Sequence, residues 1–400
     1  MEDQFFNSLV NIRRHLHQNP ELGFKEFKTS ALVESHLREL DIPFERVAVT
    51  GLIGTIQKGP GPLIVLRADM DALPVHEDTG LPFSSLDPHV MHACGHDIHT
   101  TMLLGAARLL KEAEFQGTVK LLFQPSEEGN TGSPEKGKTG AQLIVETGKL
   151  NDASAIIGLH VHPLLPVGKL TYKNGEALAN VGNFTIRIHG QGGHPGAMEH
   201  VIDPILIAGH LITRARNMVS EEYDPTSAAL AFTHVESLAR PSFNVIPSAM
   251  LLQGTLRTIS IRVYRQLEER IQNLIKELEI TFRCRIDLEY SLYVPSLLND
   301  AAIHEKLGPV LEKIFGQANV QASQARLIGE DFAFYSRAIP AQFYFLGAKT
   351  EENDSYYLHH PKVTFNEGCI KYGTPFLVSG AIQLLHGLAG STHGTASASA

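Results

Sequence analysis

The stretch MHACGHDIHT, residues 91–100, places three histidines, a cysteine and an aspartate within ten residues. Thiolate, imidazole and carboxylate groups are the ligands that zinc prefers in proteins, so a metal site is one interpretation. A redox site and a polar turn are the alternatives, because a lone Cys-x-His lacks the paired spacing of structural zinc sites. The stretch alone therefore leaves its chemistry open.

Three further groups of reactive side chains stand at the ends of apolar segments. LIVLR leads into a group that ends at Asp71, TVKLLF leads into Glu127 and Glu128, and AIIGL leads into His160. Taken singly, each group is ordinarily a turn, a helix cap or a solvated loop. In an open α/β sheet, however, sites form beyond the carboxyl ends of strands. The coincidence predicts that these groups and MHACGHDIHT meet at one crevice.

Convergence would assemble sulfur, nitrogen and oxygen donors from Cys94, His96, His160 and Glu128. This mixed set suits zinc, with manganese or cobalt as alternatives. More donors than four would indicate two ions, which about 3.5–4 Å apart can lower the pKa of a shared water toward ~7. A single ion is the alternative.

One carboxylate must remain available to take the proton of the attacking water. The side chains of adjacent residues point in different directions, so Glu127 and Glu128 should have different roles. We favour Glu127 as the base and Glu128 as the metal ligand. Asp71 is a candidate for orienting a metal-bound imidazole. His-Glu-x-x-His, the zinc deaminase pattern, Walker A and Gly-x-Ser-x-Gly do not occur in the sequence.

The elements that must position these residues follow from the apolar pattern. Two amphipathic helices interrupted at Asn19-Pro20 are predicted within residues 3–40. Continuous apolar segments then alternate with helical patterns, which predicts an α/β fold with an open, mostly parallel sheet flanked by helices. The predicted strands are residues 63–67, 118–123, 155–160 and 343–347.

The middle third has a different pattern. NFTIRIH, residues 183–189, alternates strictly between apolar and polar, as a half-exposed antiparallel strand does. Helices near 201–218 and 262–278, with strands near 227–237, 249–258 and 285–290, complete the order β-α-β-β-α-β of a ferredoxin-like unit. We therefore expect an inserted α+β lid domain at 178–293, a catalytic domain from 1–177 and 294–388, and a disordered tail at 389–400.

Bulk properties exclude several classes of function. A length of 400 residues favours two domains, and a formal net charge of −9 without a basic run argues against nucleic acid and anionic membranes as partners. The N-terminus lacks the apolar core of a signal peptide, and no apolar run reaches the ~18–20 residues of a membrane span. Three cysteines are too few for a disulfide framework. We expect a cytoplasmic protein.

Eight motifs occur along the chain in the order RADMDALP, MHACGHDIHTTMLLGAA, QPSEEG, GLHVHP, GGHPGA, FNVIPSAMLLQGTLRT, GEDFAFY and LHHP. In these motifs the sequence resembles the M20 metallopeptidases, most closely the amidohydrolase branch of aminoacylases, hippurate hydrolases and auxin-conjugate hydrolases. The resemblance runs from about residue 10 to 385. It implies hydrolysis of the amide bond of N-acyl amino acids or related conjugates, with ligands for two divalent ions of zinc, manganese or cobalt.

The resemblance also implies a role for individual residues of the catalytic domain. Glu127 would be the general base and proton shuttle, and Asp71 the supporting acidic residue. The last metal ligand of the family stands two residues before a proline, which selects His359 over His360. The implied metal ligands are Cys94, His96, Glu128, His160 and His359.

Further roles are implied for the inserted domain. It would form a homodimer or homotetramer, and His194 in its Gly-Gly-His-Pro loop would stabilise the oxyanion, in its own or a neighbouring subunit. Asn244 and Arg257 would hold the substrate, since a guanidinium forks onto carboxylate oxygens. A dipeptidase or carboxypeptidase on the same scaffold, and a non-catalytic metal-dependent binding protein, are the alternative functions.

Overall fold

The computed structural model describes residues 1–129, 137–238, 242–351 and 355–389. The chain divides into two compact units. The first consists of Met1–Gly175, Leu298–Ser323 and Asp331–Ala400, and the second of Glu176–Leu297 and Gln324–Glu330. The expected tail lies outside the described residues, apart from Ala389.

The chain order of elements alternates helices and strands in its first and last parts. The helices of the described residues are α1 (Asp3–Gln18), α2 (Phe27–Glu39), α3 (His96–Glu112), α4 (Gly140–Glu146), α5 (Pro204–Glu222), α6 (Ile261–Phe282), α7 (Ala301–Phe315), α8 (Phe332–Ala338) and α9 (Ile370–Leu388). The strands are β1 (Phe44–Val47), β2 (Gly51–Lys58), β3 (Leu63–Asp69), β4 (Gly117–Gln124), β5 (Ala155–His162), β6 (Leu170–Tyr172), β7 (Gly175–Glu176), β8 (Asn180–His189), β9 (Ala228–Ser237), β10 (Ala249–Thr258), β11 (Arg285–Val294), β12 (Leu298–Asn299), β13 (Val320–Ala322) and β14 (Ala341–Gly347).

The first unit contains an eight-stranded sheet in the order β1-β2-β4-β3-β5-β14-β6-β13. Its four central strands, β4, β3, β5 and β14, are the four predicted ones, and all three pairings among them are parallel. Strand β2 runs antiparallel to both β1 and β4, so one side of the sheet is mixed. The predicted α/β fold with a mostly parallel central sheet is confirmed.

Helices pack on both faces of this sheet. A Cβ on Gly380 of α9 would lie 3.4 Å from Cδ1 of Ile157 on β5. A Cβ on the next strand residue, Gly158, would instead lie 2.8 Å from the ring of Phe332 on α8. Successive residues of a strand point to opposite faces, so α8 and α9 lie on opposite sides. Because both faces are covered, β3 and β14 are buried at every position, which explains their largely apolar sequences.

Strand β5 is longer than the sequence indicated. It pairs with β14 as far as His162 opposite Gly347, two residues beyond the predicted 155–160, so His160 lies within the strand near its carboxyl end. On its other side β5 pairs with β3 only up to Gly158 opposite Arg67. The two parallel strands therefore separate before their carboxyl ends, and side chains from other segments can enter there.

The second unit is a four-stranded antiparallel sheet in the order β11-β8-β10-β9, with α5 and α6 on one face. On β8, Phe184, Ile186 and Ile188 are buried, as the alternating pattern predicted. Arg187 between them is exposed. The chain order β-α-β-β-α-β and this strand order agree with the ferredoxin-like prediction.

No helix in the described parts of the chain is both long and apolar enough to cross a bilayer.

Candidate metal centre

The centre begins where Cys94 and His96 flank the start of α3. Gly95 adopts a left-handed conformation with φ of 87°, and a Cβ there would lie 2.3 Å from Cγ2 of Val161. Only glycine combines this backbone angle with such a close approach to β5. The turn at Gly95 therefore places the Cys94 thiol and the His96 imidazole on either side of this glycine, beside the carboxyl end of β5.

Donor atoms from four distant segments meet at this point. Each of three overlapping groups has all its ligand atoms within 4.8 Å of one another. The structure thereby brings together the side chains of β5, the start of α3, the Glu127-Glu128 segment and the Leu358–Pro361 segment. The groups are Cys94 with His96 and His160, Cys94 with Glu128 and His359, and His96 with Glu127 and Glu128.

Hydrogen bonds orient both buried imidazoles in the same way. Nδ1 of His96 donates to the backbone oxygen of Asp71 at 2.9 Å and lies 3.1 Å from Oδ1 of its carboxylate. Nδ1 of His160 donates to the backbone oxygen of Val161 at 2.8 Å. With Nδ1 used in this way, each ring presents Nε2 as the lone-pair nitrogen. Nε2 of His160 lies 3.3 Å from Sγ of Cys94.

Burial lowers the pKa of His160 well below its usual value, so its imidazole is neutral. Nε2 of His96 is buried and has no hydrogen-bond partner among the described residues. Burial of a nitrogen without a hydrogen-bond partner costs free energy, and a bound cation would supply the missing partner. This nitrogen is the observation that best fits the cluster to a metal ion.

The electrostatics of the cluster favour positive charge. Burial, together with the negative charges of Glu128 and Glu127, raises the pKa of the Cys94 thiol well above its usual value. Burial would lower the pKa of His96, but the charges of Asp69, Asp71 and Glu128 outweigh it and raise the pKa to about 10. Bound cations would replace the protons that these groups otherwise hold.

The Leu358–Pro361 segment contributes His359 and not His360. His359 has a left-handed backbone with φ of 68°, and its N–H donates to the backbone oxygen of Ala93 at 2.9 Å. Its Nε2 lies 3.1 Å from Oε1 of Glu128. The ring of His360 instead stacks on Tyr356, with centroids 4.4 Å apart.

The two adjacent glutamates have different partners. Oε1 of Glu127 accepts the backbone N–H of Asp331 at 3.3 Å. The backbone N–H of Glu128 donates to Oδ2 of Asp71 at 3.0 Å, while its carboxylate points toward His359. Asp71 therefore contacts both the His96 ring and the Glu127-Glu128 segment.

His99 and Asp69 form a supporting pair that sequence reasoning missed. Nδ1 of His99 donates to Oδ1 of Asp69 at 2.6 Å, and its Nε2 accepts the backbone N–H of Val161 at 2.8 Å. Both ring nitrogens are thus engaged, so His99 is not available as a metal ligand although it lies near His96. Its ring occupies the opening between β3 and β5 and fixes the strand next to His160. Its position three residues after His96, within one helical face, was the available signal.

A second supporting network surrounds Asp331. Its carboxylate accepts from Nη2 of Arg67 at 2.9 Å, from Nε2 of Gln124 at 2.8 Å and from the N–H of Ala141 at 3.0 Å. Burial nevertheless raises the pKa of Asp331 to about 6. Through this network, the ends of β3 and β4 fix the residue whose N–H contacts Glu127. Asp331 stands in GEDFAFY, a motif that sequence reasoning quoted without assigning it a role.

A third network lies under the first turn of α3. Oδ2 of the buried Asp97 lies 2.9 Å from Nε of Arg13 and 2.7 Å from Nδ1 of His17. Burial would raise the pKa of Asp97, but Arg13 and His17 outweigh it and hold the pKa well below its usual range. Helix α1 thus fixes the residue next to His96.

The remaining predicted residues belong to the second unit. His194 is exposed, and its Nδ1 accepts the N–H of Gly196 at 3.0 Å. Asn244 is exposed and accepts from the Ser242 hydroxyl at 2.7 Å. Arg257 is half-buried on β10, where desolvation lowers its pKa, and it donates to the backbone oxygen of Leu327 at 3.0 Å. Their roles stay predictions.

A buried cluster of thiol, imidazole and carboxylate groups at the strand ends of an α/β sheet is typical of metal-dependent hydrolases. The model of peptidase family M20/M25/M40 matches residues 65–381 of the chain. The chain belongs to this family, and the predicted family is confirmed.

Individual relatives are similar over most of their length. Arabidopsis thaliana IAA-amino acid hydrolase ILR1-like 4 is 39% identical over 398 residues, covering 98% of this chain and 88% of that protein. Bacillus subtilis N-acetyl-L-cysteine deacetylase is 37% identical over 381 residues, covering 94% of this chain and 88% of that protein. The chain is thus an amidohydrolase of the M20 family.

A solved structure agrees with the fold as a whole. The crystal structure of Bacillus subtilis YXEP protein, described as a dinuclear metal binding peptidase from the M20 family, matches with a TM-score of 0.82. The two are 33% identical, and the match covers 96% of this chain and 99% of that chain. Together with the family, this supports the use of divalent metal ions.

Proposed function

We propose that the chain hydrolyses the amide bond of N-acyl amino acids or related amino-acid conjugates with two divalent ions. The single observation that carries the proposal is the buried donor cluster beside Glu127 in the first unit. Two relatives, an IAA-amino acid hydrolase and an N-acetyl-L-cysteine deacetylase, support this class of substrate. The proposed ligands are Cys94, His96, Glu128, His160 and His359.

The number of donors supports two ions. Six side chains contribute to the three overlapping groups and five of them are proposed ligands, whereas structural sites for one zinc ion usually have four ligands. The groups Cys94-His96-His160 and Cys94-Glu128-His359 share only Cys94, so together they would hold two ions. The thiol favours zinc, and the carboxylate and imidazole donors also suit manganese or cobalt.

Divalent ions in this cluster would polarise the scissile carbonyl and lower the pKa of an attacking water. The chain itself then has to move one proton. We assign this role to Glu127, which takes the proton from the attacking water and returns it to the leaving amine. Its contact with the N–H of Asp331 supports the assignment, because it orients the carboxylate without neutralising it.

Asp71 has the supporting role. Acceptance of the His96 Nδ1 proton fixes the tautomer that presents Nε2 and increases the basicity of that nitrogen. Burial of this carboxylate beside the ring keeps the orientation rigid.

The second unit would supply substrate contacts. His194 would donate to the oxyanion, and such donors are typically worth ~10²–10³ in rate. Arg257 would hold the substrate carboxylate through its guanidinium and Asn244 would donate an amide hydrogen bond. Assembly as a homodimer or homotetramer through this unit is part of the proposal.

The proposal is tested with Glu127→Gln. The amide keeps the shape and the acceptor for the Asp331 N–H but cannot take a proton at neutral pH. We expect unchanged metal content and a kcat at least about 10²-fold lower, in line with the usual contribution of a general base. The measurement is turnover of a panel of N-acetyl and N-benzoyl amino acids, with metal analysis of each sample.

The controls separate the alternatives. Parent protein treated with a chelator should lose activity and regain it on adding Zn²⁺ or Mn²⁺. Turnover by Glu127→Gln close to that of the parent would show that another group is the base. Hydrolysis of no substrate by the parent, at any metal loading, would favour a binding protein, and preference for free dipeptides would favour a dipeptidase.

A further inference from the structure

Residues 21–26, between α1 and α2, contact both acidic segments of the metal centre. The backbone oxygen of Glu21 accepts the N–H of Ala72, next to Asp71, at 2.8 Å. A Cβ on Gly23 would lie 2.5 Å from Oγ of Ser126, so this turn packs directly against the segment that carries Glu127. The carboxylate of Glu21 fixes the turn by accepting the N–H of Thr29 at 2.9 Å.

Glu26 is the fully buried residue of this turn. Its Oε1 accepts the backbone N–H of Ser126 at 2.8 Å, and the hydroxyl of the buried Thr50 donates to its Oε2 at 2.5 Å. A carboxyl with both oxygens engaged and no exposure to water has one orientation. It therefore holds the backbone of Ser126 at a fixed position.

Ser126 needs such support because its backbone is left-handed, with φ of 48°. For a residue other than glycine this conformation persists only where surrounding contacts impose it. The next two residues are Glu127 and Glu128, so any rotation at Ser126 moves both carboxylates. The Ser126 backbone oxygen is also fixed, since it accepts the N–H of Gly140 at 3.0 Å.

We propose that Glu26 is a positioning residue that holds Glu127 and Glu128 in register with the metal centre by accepting the Ser126 N–H. Glu26 is in none of the donor groups described above, so it is neither a ligand nor a base. The inference rests on the proposed function of Glu127 and Glu128.

The positioning role of Glu26 requires a hydrogen-bond acceptor and does not require a negative charge. Burial and the nearby charge of Asp71 raise the pKa of Glu26 to about 8, so near neutral pH the carboxyl is mainly protonated. A neutral carboxyl still accepts the Ser126 N–H through its carbonyl oxygen and donates its O–H to the Thr50 hydroxyl oxygen, and an amide offers the same acceptor and an N–H donor. Glutamine should therefore replace Glu26, whereas aspartate should not, because it is about 1.5 Å shorter.

The experiment compares Glu26→Gln, Glu26→Asp and Glu26→Ala with the parent. We measure kcat and KM per folded, metal-loaded molecule on the N-acyl amino acid that the parent hydrolyses fastest. We expect kcat of Glu26→Gln to stay within about threefold of the parent, and kcat of the other two to fall about 10- to 100-fold, the usual effect of misplaced catalytic groups. KM should stay within about threefold throughout, since no substrate contact is removed.

Leu37→Ala is the matched control. Leu37 is fully buried on α2, the helix that starts directly after Glu26, but it packs on β2. The Leu37→Ala substitution should lower thermal stability and leave kcat per folded molecule close to that of the parent. The proposal is wrong if Glu26→Asp is as active as Glu26→Gln, or if Leu37→Ala lowers kcat as much as Glu26→Asp. The comparison of the glutamine and aspartate variants decides the matter even if Glu26→Ala does not fold.

A second readout does not depend on turnover. Titration of the metal-free proteins with Mn²⁺ by calorimetry should give weaker binding for Glu26→Asp than for Glu26→Gln, because Glu128 is a proposed ligand. If the parent and Glu127→Gln hydrolyse equally, the proposed function fails, yet the order of Mn²⁺ affinities still tests Glu26. Equal affinities of both variants and the parent would overturn the positioning role.

Discussion

At the scale of single residues, the centre consists of donors whose orientation is set by their neighbours. Asp71 shows this best, since one carboxylate oxygen lies 3.1 Å from Nδ1 of His96 and the other accepts the N–H of Glu128 at 3.0 Å. One side chain thus aligns an imidazole and a carboxylate that come from different segments. Replacement of the Asp71 carboxylate should therefore disturb the orientation of both His96 and Glu128.

We therefore expect Asp71→Asn to weaken metal binding about 10- to 100-fold, the usual effect of removing a group that orients a ligand. An amide has only one acceptor oxygen, so either the His96 ring loses its side-chain acceptor or the Glu128 N–H loses its partner. The measurement is the Zn²⁺ or Mn²⁺ dissociation constant of the metal-free variant. Asp78→Asn is the control, because Asp78 is an exposed aspartate that pairs with Lys362. Equal affinities of Asp71→Asn and the parent would contradict the role.

At the scale of elements, the start of α3 determines where two donors lie. Gly95 precedes the helix with a positive φ, and its α-hydrogen faces Cγ2 of the buried Val161. The close approach brings Cys94 within 3.3 Å of His160 on β5. Helix and strand are therefore joined through a contact that leaves no room for a methyl group.

Gly95→Ala should consequently lower both stability and activity. A left-handed alanine and the overlap with Val161 together cost about 2 kcal/mol or more of unfolding free energy. Denaturant unfolding measures this cost, and metal titration measures the accompanying loss of affinity. Gly209→Ala on α5 is the control: a Cβ there meets no atom within 4 Å, so we expect unchanged or slightly higher stability. A fully active, equally stable Gly95→Ala would refute this account.

At the scale of the whole molecule, the centre depends on contacts between segments far apart in the chain. His96, Glu128, His160 and His359 come from four segments of the first unit, so the unfolded chain does not present them together. Metal ions should then bind mainly the folded state. A ligand that binds only the folded state stabilises it by mass action.

Removal of metal should lower the thermal unfolding temperature of the protein. At free metal one hundred times the dissociation constant, binding adds about 2.7 kcal/mol of unfolding free energy. We expect a lower Tm in chelator, restored by adding Zn²⁺ or Mn²⁺ and not by Na⁺. The measurement is differential scanning calorimetry over a range of metal concentrations. A Tm that does not change with metal would show that the cluster does not bind ions in the folded protein.

The sequence by itself determined the class of fold and the list of candidate donors. Four largely apolar segments became the central strands because burial on both faces favours apolar side chains at successive positions. NFTIRIH became β8 because one face of its sheet is covered and the other is not. Glu128 follows a predicted strand, where sites of α/β sheets form, and the motifs around Cys94 and Glu128 resemble those of the M20 family, so both could be named as candidates.

Only the tertiary structure decided which groups support the donors. The partners of Glu26, Asp69 and Asp331 are the backbone or side chains of remote segments, so no local spacing predicts them, and for His99 the available signal was its position three residues after His96. The family resemblance selected His359 over His360, but only the tertiary structure gives a physical reason, because the backbone turns one ring toward Glu128 and the other onto Tyr356. Periodicity reports which face of an element is buried, but hydrogen-bond partners depend on how the chain brings distant segments together.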